Sequence, residues 1–566
     1  MSFVKDGHGG ARLGASDAKG PHVVQAMRWA ARVAVRLILS RRPLGAASTR
    51  AARCVGLVAA LLVASLVLTC LSSAMLASMP ADARAESFGV AWGNDVGGEL
   101  GNGLDYQSNK YEGSNVPVGV CALNSPHEPC PNGPYLSEIV SMTAGAGFSL
   151  AVLSGGRVTG WGGNQQGELG VNTSGFTDTP SGESFTSGVS AVATGYRFSL
   201  ALLNNGTVDA FGDNASGQLG NGTSGVERNW EPAQVKNLSG VTAIAAGGEH
   251  ALALLSNGKV MAWGANNSGQ LGNGTTTQSD VPVEVSELSE VVAISAGENF
   301  SLALLKSGAV KSWGQNNLGQ LGNGATTNSD VPVTVSELTG VTKIAAGKNF
   351  SLALLSGGTA KAWGYNEWGQ LGDGTNTGPN VCLEINIEEI ERACSTAPVA
   401  VSSLSGVVAV SAGDSFSSAL RNDHTVWTWG ADGDGQLGVG AFEGHVCETL
   451  RHVPAKCSTT PVEVLELESV KGVSAGTAFE LAWTNLVPRP TSEELLGLEN
   501  PGEPNQKRAC TGDPVSCATG NLSESQTDLS VAGRGIPLTL ARTYNAQAAV
   551  TQSSPGPFGV WVELVL

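Results

Sequence analysis

The chain has 566 residues, 76 of them glycine, with charged side chains at 14% of positions and aromatic ones at 5%. This composition suits many short strands joined by tight turns and excludes a helical bundle or a coiled coil. The net charge is −17, and residues 1–53 hold ten of the 32 Lys and Arg but only two of the 49 Asp and Glu; the remaining body is more acidic still, which argues against a nucleic-acid partner and is accounted for by solubility alone.

Residues 1–53 read as a basic cytoplasmic leader. Cys54 to Ala81 then carries no charged side chain, and Arg41, Arg42, Arg50 and Arg53 precede it. Spanning a bilayer takes roughly 20 apolar residues, and positive charges stay inside. Residues 54–79 are therefore expected to be the apolar part of a signal peptide or a transmembrane anchor. The body is expected outside the cytoplasm, secreted or held at the cell membrane. Ala83-Arg84-Ala85 before Glu86 has the small-residue form of a cleavage site; without cleavage the segment is a signal anchor. Thr69-Cys70 departs from a lipoprotein site, because a threonine precedes the cysteine and an apolar run follows it. A buried core helix is the third reading, disfavoured because no helical neighbour follows.

From residue 86 to 485 one pattern dominates. W-G-x-N-x-x-G-x-L-G, with minor changes, begins at Trp92, Trp161, Phe211, Trp263, Trp313, Trp363 and Trp429. The steps are 69, 50, 52, 50, 50 and 66 residues, and a period of 50 falls in the propeller-blade range. A second motif, A-G-x-x-F-S-L-A-L, begins at Ala144, Thr194, Ala246, Ala296, Ala346, Ala412 and Ala475. In one unit, Phe300 to Leu305 reads as a strand with two buried faces. Ser307-Gly308 supplies a turn and Val310 to Trp313 the returning strand. Val331-Pro332-Val333 opens a third strand, and Val341 to Ala345 is counted as the fourth. Four strands per unit make a blade.

The first copy, Phe88 to Gly93, lacks the F-S-L-A-L strand, and the last, Phe479 to Trp483, lacks the W-G partner. Each end holds what the other is missing, so pairing them closes a seven-bladed ring and removes open edges. An open solenoid would need caps at both ends. These motifs resemble the regulator of chromosome condensation repeat family over roughly residues 86–485, and the resemblance implies a seven-bladed propeller. The family's nuclear member is a guanine-nucleotide exchange factor for a small GTPase. That activity is not carried over, because the repeat motifs are structural and an exported chain would not meet that GTPase. A secreted bacterial relative of the repeat class binds and inhibits β-lactamases, which supports protein binding without naming a partner.

Cys54 and Cys70 lie in the apolar segment. The other cysteines fall into close pairs: Cys121 and Cys130, Cys382 and Cys394, Cys447 and Cys457, Cys510 and Cys517. Outside the cytoplasm such pairing reads as disulfides. Metal binding is the alternative, weakened because few histidines lie nearby and no pair has two-residue spacing. The first three pairs sit in insertions between an L-G motif and the next strand, in blades expected to meet around the ring closure. They are expected either to form one stapled recognition surface or to be tolerated decorations.

Residues 486–509 read as a Pro-, Glu- and Asn-rich linker. From 510 to 566, Cys510-Thr511-Gly512-Asp513-Pro514, Ala518-Thr519-Gly520-Asn521, Gly533-Arg534-Gly535, Arg542-Thr543-Tyr544-Asn545 and Gly556-Pro557-Phe558-Gly559 resemble the β-rich module that opens bacterial rearrangement-hotspot (RHS/YD) proteins. Those are large exported chains that often end in a toxin, and members continue far beyond this module. The resemblance implies a truncated or frameshifted front part of such a protein.

No nucleophile elbow, phosphate loop or metal-binding His pair appears, so no catalytic, cofactor or metal residue is assigned. Asp432-Gly433-Asp434-Gly435 hints at calcium, but the same position in other blades is Asn-rich turn chemistry. His250 stands where other repeats have Phe and reads as a core substitution. The leading expectation is a monomeric, non-enzymatic scaffold, all-β apart from its N-terminal helix, for protein or cell-envelope binding. The alternatives are a nucleotide-exchange regulator, a structural spacer, and a hydrolase with a site in the central channel.

Overall fold

In the computed structural model, residues 87–488 are described except 105–112, 127–128, 132, 173, 226–228, 386–388, 441–445 and 449–453; beyond them the strands Val515–Ser516, Asn521–Val531, Leu538–Asn545 and Val562–Val565 are described. The leader, the signal or anchor segment, most of the linker and the Cys510/Cys517 pair lie outside the described residues.

The alternation Phe300-Ser301-Leu302-Ala303-Leu304 sets the architecture, because both faces of this strand are buried. Phe300, Leu302 and Leu304 pack against Ala353 and Trp363 of the following blade. Ala303 packs beside Trp313 against Leu252 and Leu254 of the preceding one. A large face on one blade thus meets an alanine-and-tryptophan face on the next. This blade is an antiparallel meander of Val291–Ala296, Phe300–Leu305, Val310–Gly314 and Ser329–Thr334. Its first strand is Val291–Ala296. Val341–Ala346, counted from sequence as the unit's fourth strand, opens the next sheet instead, so repeat and blade are offset by one strand.

The recurring positions of the repeat form a clasp between blades. Trp313 Nε1 and Ser301 Oγ both donate to the Gln270 carbonyl oxygen of the preceding blade, each at 2.9 Å. Trp363 and Ser351 treat Gln320 in the same way. The last glycine of L-G is needed here: Gly322 has φ +64°, and a Cβ on it would lie 2.7 Å from the Trp363 ring. The Asn of the motif holds the turn, with Asn316 Oδ1 accepting from Leu321 N at 2.9 Å.

Counting blades by their first strands gives blade 1 at Ile139–Ala144, blade 4 at Val291–Ala296 and blade 7 at Val470–Ala475. Blade 7 is built from both ends of the array. Val470–Ala475 and Phe479–Thr484 supply two strands, and Phe88–Gly93 and Ser114–Gly119 the other two. Trp92 lies opposite Glu480 and Gly89 opposite Trp483. The ring is therefore closed, as the complementary ends require.

Three disulfides are formed: Cys121–Cys130, Cys382–Cys394 and Cys447–Cys457, with Cα separations of 5.8, 5.9 and 5.7 Å. The idea that all three staple one surface needs correction. Cys394 and Cys457 lie at the start of the fourth strands of blades 5 and 6, opposite Tyr365 and Ala431 at the ends of the third strands, and each is bridged to an added outer strand that carries Cys382 or Cys447. Cys121–Cys130 follows the fourth strand of blade 7, in the link to blade 1, at the opposite end of its sheet. The C-terminal strands form a separate four-stranded antiparallel sheet.

Candidate functional site

Each A-G-x segment joins a first strand to a second strand, and the seven converge around the central channel. Glycine is required for that approach. A Cβ on Gly297 would press on its own Phe300 ring and lie 2.6 Å from the Gly347 carbonyl oxygen of the next blade. The same crowding runs around the ring to Gly476, where it would meet the Gly145 oxygen at 2.9 Å. Backbone bonds join the loops: Glu298 N donates to Lys348 O, Lys348 N to Gly413 O and Asp414 N to Thr477 O, at 3.2, 3.2 and 3.3 Å.

The third residue of each segment, which differs from blade to blade, forms the mouth: Ala146, Tyr196, Gly248, Glu298, Lys348, Asp414 and Thr477. Tyr196 Oη donates to Glu298 Oε1 at 3.0 Å. Lys348 Nζ lies 3.3 Å from Asp414 Oδ2 and 5.8 Å from the Tyr196 ring centre. Burial, reinforced by the charges of Asp414 and Glu298, pushes the Tyr196 phenol up. Burial also raises Asp414, partly offset by Lys348.

A cavity of about 450 Å³ runs from Lys348 and Asp414 over Tyr196 to Arg197, Asp213 and Glu249. A second, of about 200 Å³, runs outward from the same Lys348 and Asp414 to Tyr365, Trp368 and Arg392. Arg392 comes from the Cys382–Cys394 hairpin, where it lies opposite Cys382. It pairs with Glu367 Oε2 at 2.7 Å, and Tyr365 Oη donates to the same oxygen at 2.7 Å. The strand Asn380–Ile385 of that hairpin exposes Val381 and Leu383, while Cys382 between them is buried. Polar groups, an aromatic wall and a protruding hairpin thus share one face of the ring.

Residues singled out in sequence take structural places. Trp92, Trp161, Trp263, Trp313, Trp363 and Trp429 are fully buried, as is Phe211, whose ring cannot make the tryptophan N–H bond. Asp432 Oδ1 accepts from Leu437 N at 3.1 Å, the same turn bond that Asn316 makes. His250 is fully buried, and its Nε2 lies 2.9 Å from Ser301 Oγ. That hydroxyl donates to Gln270 O, so the imidazole must donate to it. Burial holds His250 down at about 3, hence neutral. It is a core group that satisfies a neighbour. The mouth residues were missed in sequence, because the repeat keeps no signal at its variable position.

The described residues define a seven-bladed β-propeller whose blades are clasped by tryptophan and glycine around a polar channel mouth. The chain belongs to the RCC1-like domain family, which matches residues 88–395. Residues 407–436 and 423–483 match the regulator of chromosome condensation (RCC1) repeat, and residues 512–561 match a domain of unknown function, DUF6531. Among solved structures, yeast RCC1 (Prp20) bound to Kap60 is similar, at 24% identity and a TM-score of 0.58, over 72% of this chain and 90% of that one. Human WBSCR16 is similar at 21% identity and a TM-score of 0.56, over 70% and 98%. These likenesses establish the fold. The mitochondrial RCC1 domain-containing protein RUG3 of Arabidopsis thaliana is 28% identical over 193 residues, 34% of this chain and 29% of that protein's own length.

Proposed function

We propose that this chain is an exported or membrane-anchored propeller that binds a protein or cell-envelope ligand and has no enzymatic activity. The observation that carries the reading is the meeting, on one face, of the charged mouth with a disulfide-stapled hairpin that exposes Val381 and Leu383. Exposed apolar side chains on a braced strand, next to fixed charges, suit recognition. Local disulfides and the basic-then-apolar N-terminal sequence support placement outside the cytoplasm. The DUF6531 match over the RHS-like motifs supports a place at the front of an RHS-type surface or toxin protein.

The test is deletion of residues 381–394 from the full chain, which leaves Ser395–Ala400 paired with Lys361–Gly364 as a fourth strand. Binding to isolated cell envelopes is expected to fall at least about tenfold, worth roughly 1.4 kcal/mol. Unchanged binding would defeat the reading. A nucleotide-exchange role has the fold likeness to Prp20 in its favour. It requires cytosolic residence, so cell fractionation separates the two.

A further inference from the structure

We infer that the channel mouth is a socket for a lysine side chain of a protein partner, and that Lys348 is the chain's own plug in it. The inference rests on the protein-binding reading above and names the chemistry of the partner. The Lys348 ammonium already shows what the site accepts, since it sits over the Tyr196 ring and beside Asp414. An aromatic face with carboxylates around it is the usual environment for a recognised ammonium group.

The site holds more negative charge than Lys348 balances. Asp213, Glu249 and Asp414 border the larger cavity, and Glu298 stands at the mouth. Arg197 and Lys348 are the cations bordering the same space. Four carboxylates against two cations leave an attraction for a further positive charge. The cavity of about 450 Å³ gives that charge room beside Lys348. Glu298 is held by the Tyr196 hydroxyl and Glu249 by Ser216 Oγ at 2.8 Å, so the carboxylates are fixed before a partner arrives. Fixed groups lower the ordering cost of binding. The flanking Tyr365, Trp368 and Arg392 then face whatever chain carries the lysine.

The experiment uses the full chain and fluorescence anisotropy with a labelled, alternating Gly-Lys peptide, with the matching Gly-Glu peptide as its opposite. The Gly-Lys peptide is expected to bind and the Gly-Glu peptide not. Lys348→Met removes the plug and is expected to tighten binding about three- to tenfold. Glu298→Gln with Asp414→Asn is expected to weaken it at least about tenfold. Glu284→Gln, on an exposed outer strand where it pairs with Lys259, alters the net charge away from the mouth and is expected to change nothing. Thermal melts check that each variant is folded, and Lys348→Met stands as an independent test if the double variant is not. Failure of the wild type to bind, Lys348→Met that does not tighten binding, or a loss from Glu284→Gln equal to that of the double variant would each overturn the socket. The envelope-binding reading falls only with the hairpin deletion, so the two ideas fail separately.

Discussion

Blade 4 is one continuous stretch, Val291–Thr334, whereas blade 7 is assembled from strands almost four hundred residues apart. The same clasp holds both. Trp313 donates to Gln270 O at 2.9 Å, and Trp92 donates to Gln436 O at 3.0 Å. Gly272 lies against the Trp313 ring as Gly438 lies against Trp92. The polar partners differ. Where blade 4 has Ser301 and Gln320, blade 7 has Glu480 and Glu99, both buried. The tryptophan, the glycine and the accepting carbonyl are thus shared by these two joints, and the glycine persists even where Phe211 replaces the tryptophan, with Gly170 against its ring. The position beside them tolerates exchange, and at the closing seam it carries ionisable acids.

The largest test of that comparison removes the shared part. Trp→Ala in a core costs about 3–5 kcal/mol, so Trp313→Ala and Trp92→Ala are expected to lose similar stability in chemical denaturation. Their shapes should differ. Blade 4 stays tethered to both neighbours by the chain, so Trp313→Ala shifts the midpoint and keeps the transition steep. At the seam only side-chain and strand contacts hold the ends together, so Trp92→Ala lets the ring open and broadens the transition. Identical slopes for the two variants would mean the seam is no different from any other joint.

The next effect comes from the exchanged part. Glu480 Oε1 accepts from Ser418 Oγ at 2.7 Å, its Oε2 has no partner, and burial pushes its carboxyl up to about 8. Glu99 Oε2 accepts from Gly97 N at 2.6 Å, and burial pushes it up to about 7. Both folded-state values lie above the unfolded ones, near 4.5. Their contribution to stability is therefore complete below about pH 4.5 and is lost as pH rises through 7 to 8, by up to ~1.4 kcal/mol per pH unit per group. Glu480→Gln with Glu99→Gln is expected to be the more stable protein at pH 8, by a few kcal/mol, with a flatter pH profile. Melts from pH 5 to 9 check this; parallel profiles would show that the two acids do not carry the dependence.

Seven blades and their closure were legible in sequence because a fifty-residue period and two incomplete ends admit few other solutions. The burial of Trp92 through Trp429 followed from the same period. His250 was read as core because it interrupts a known apolar position. The mouth was not legible. Tyr196, Glu298, Lys348 and Asp414 stand at a position with no repeated identity, and they meet only because the ring closes. The bond of Arg392 to Glu367 was hidden for a related reason: it joins an insertion to the repeat it interrupts. The placement of Cys121–Cys130 was misjudged because spacing shows that a loop is long, and not which end of the sheet it leaves.

That placement yields the smallest and most local contrast. A disulfide closing a loop of about ten residues is worth roughly 2–3 kcal/mol where the loop is part of the cooperative fold. Cys121 is fully buried, and its N donates to Gly101 O at 2.8 Å, in the link through which blade 7 passes to blade 1. Cys121→Ser with Cys130→Ser is therefore expected to lower the melting temperature of the whole propeller by several degrees. The Cys382–Cys394 disulfide is equally buried, against Leu318 of blade 4, but it ties down an added outer strand, Asn380–Ile385, and Ser395–Ala400 keeps its own pairing with Lys361–Gly364 as the fourth strand. Cys382→Ser with Cys394→Ser is expected to lower the melt less than the Cys121/Cys130 pair does and to speed proteolytic cleavage within residues 380–394, because local opening of that strand precedes opening of the blade. If the hairpin pair lowers the melt as much as the seam pair does, blade 5 depends on its insertion, and the division between a seam that holds the ring and a hairpin that decorates it does not stand.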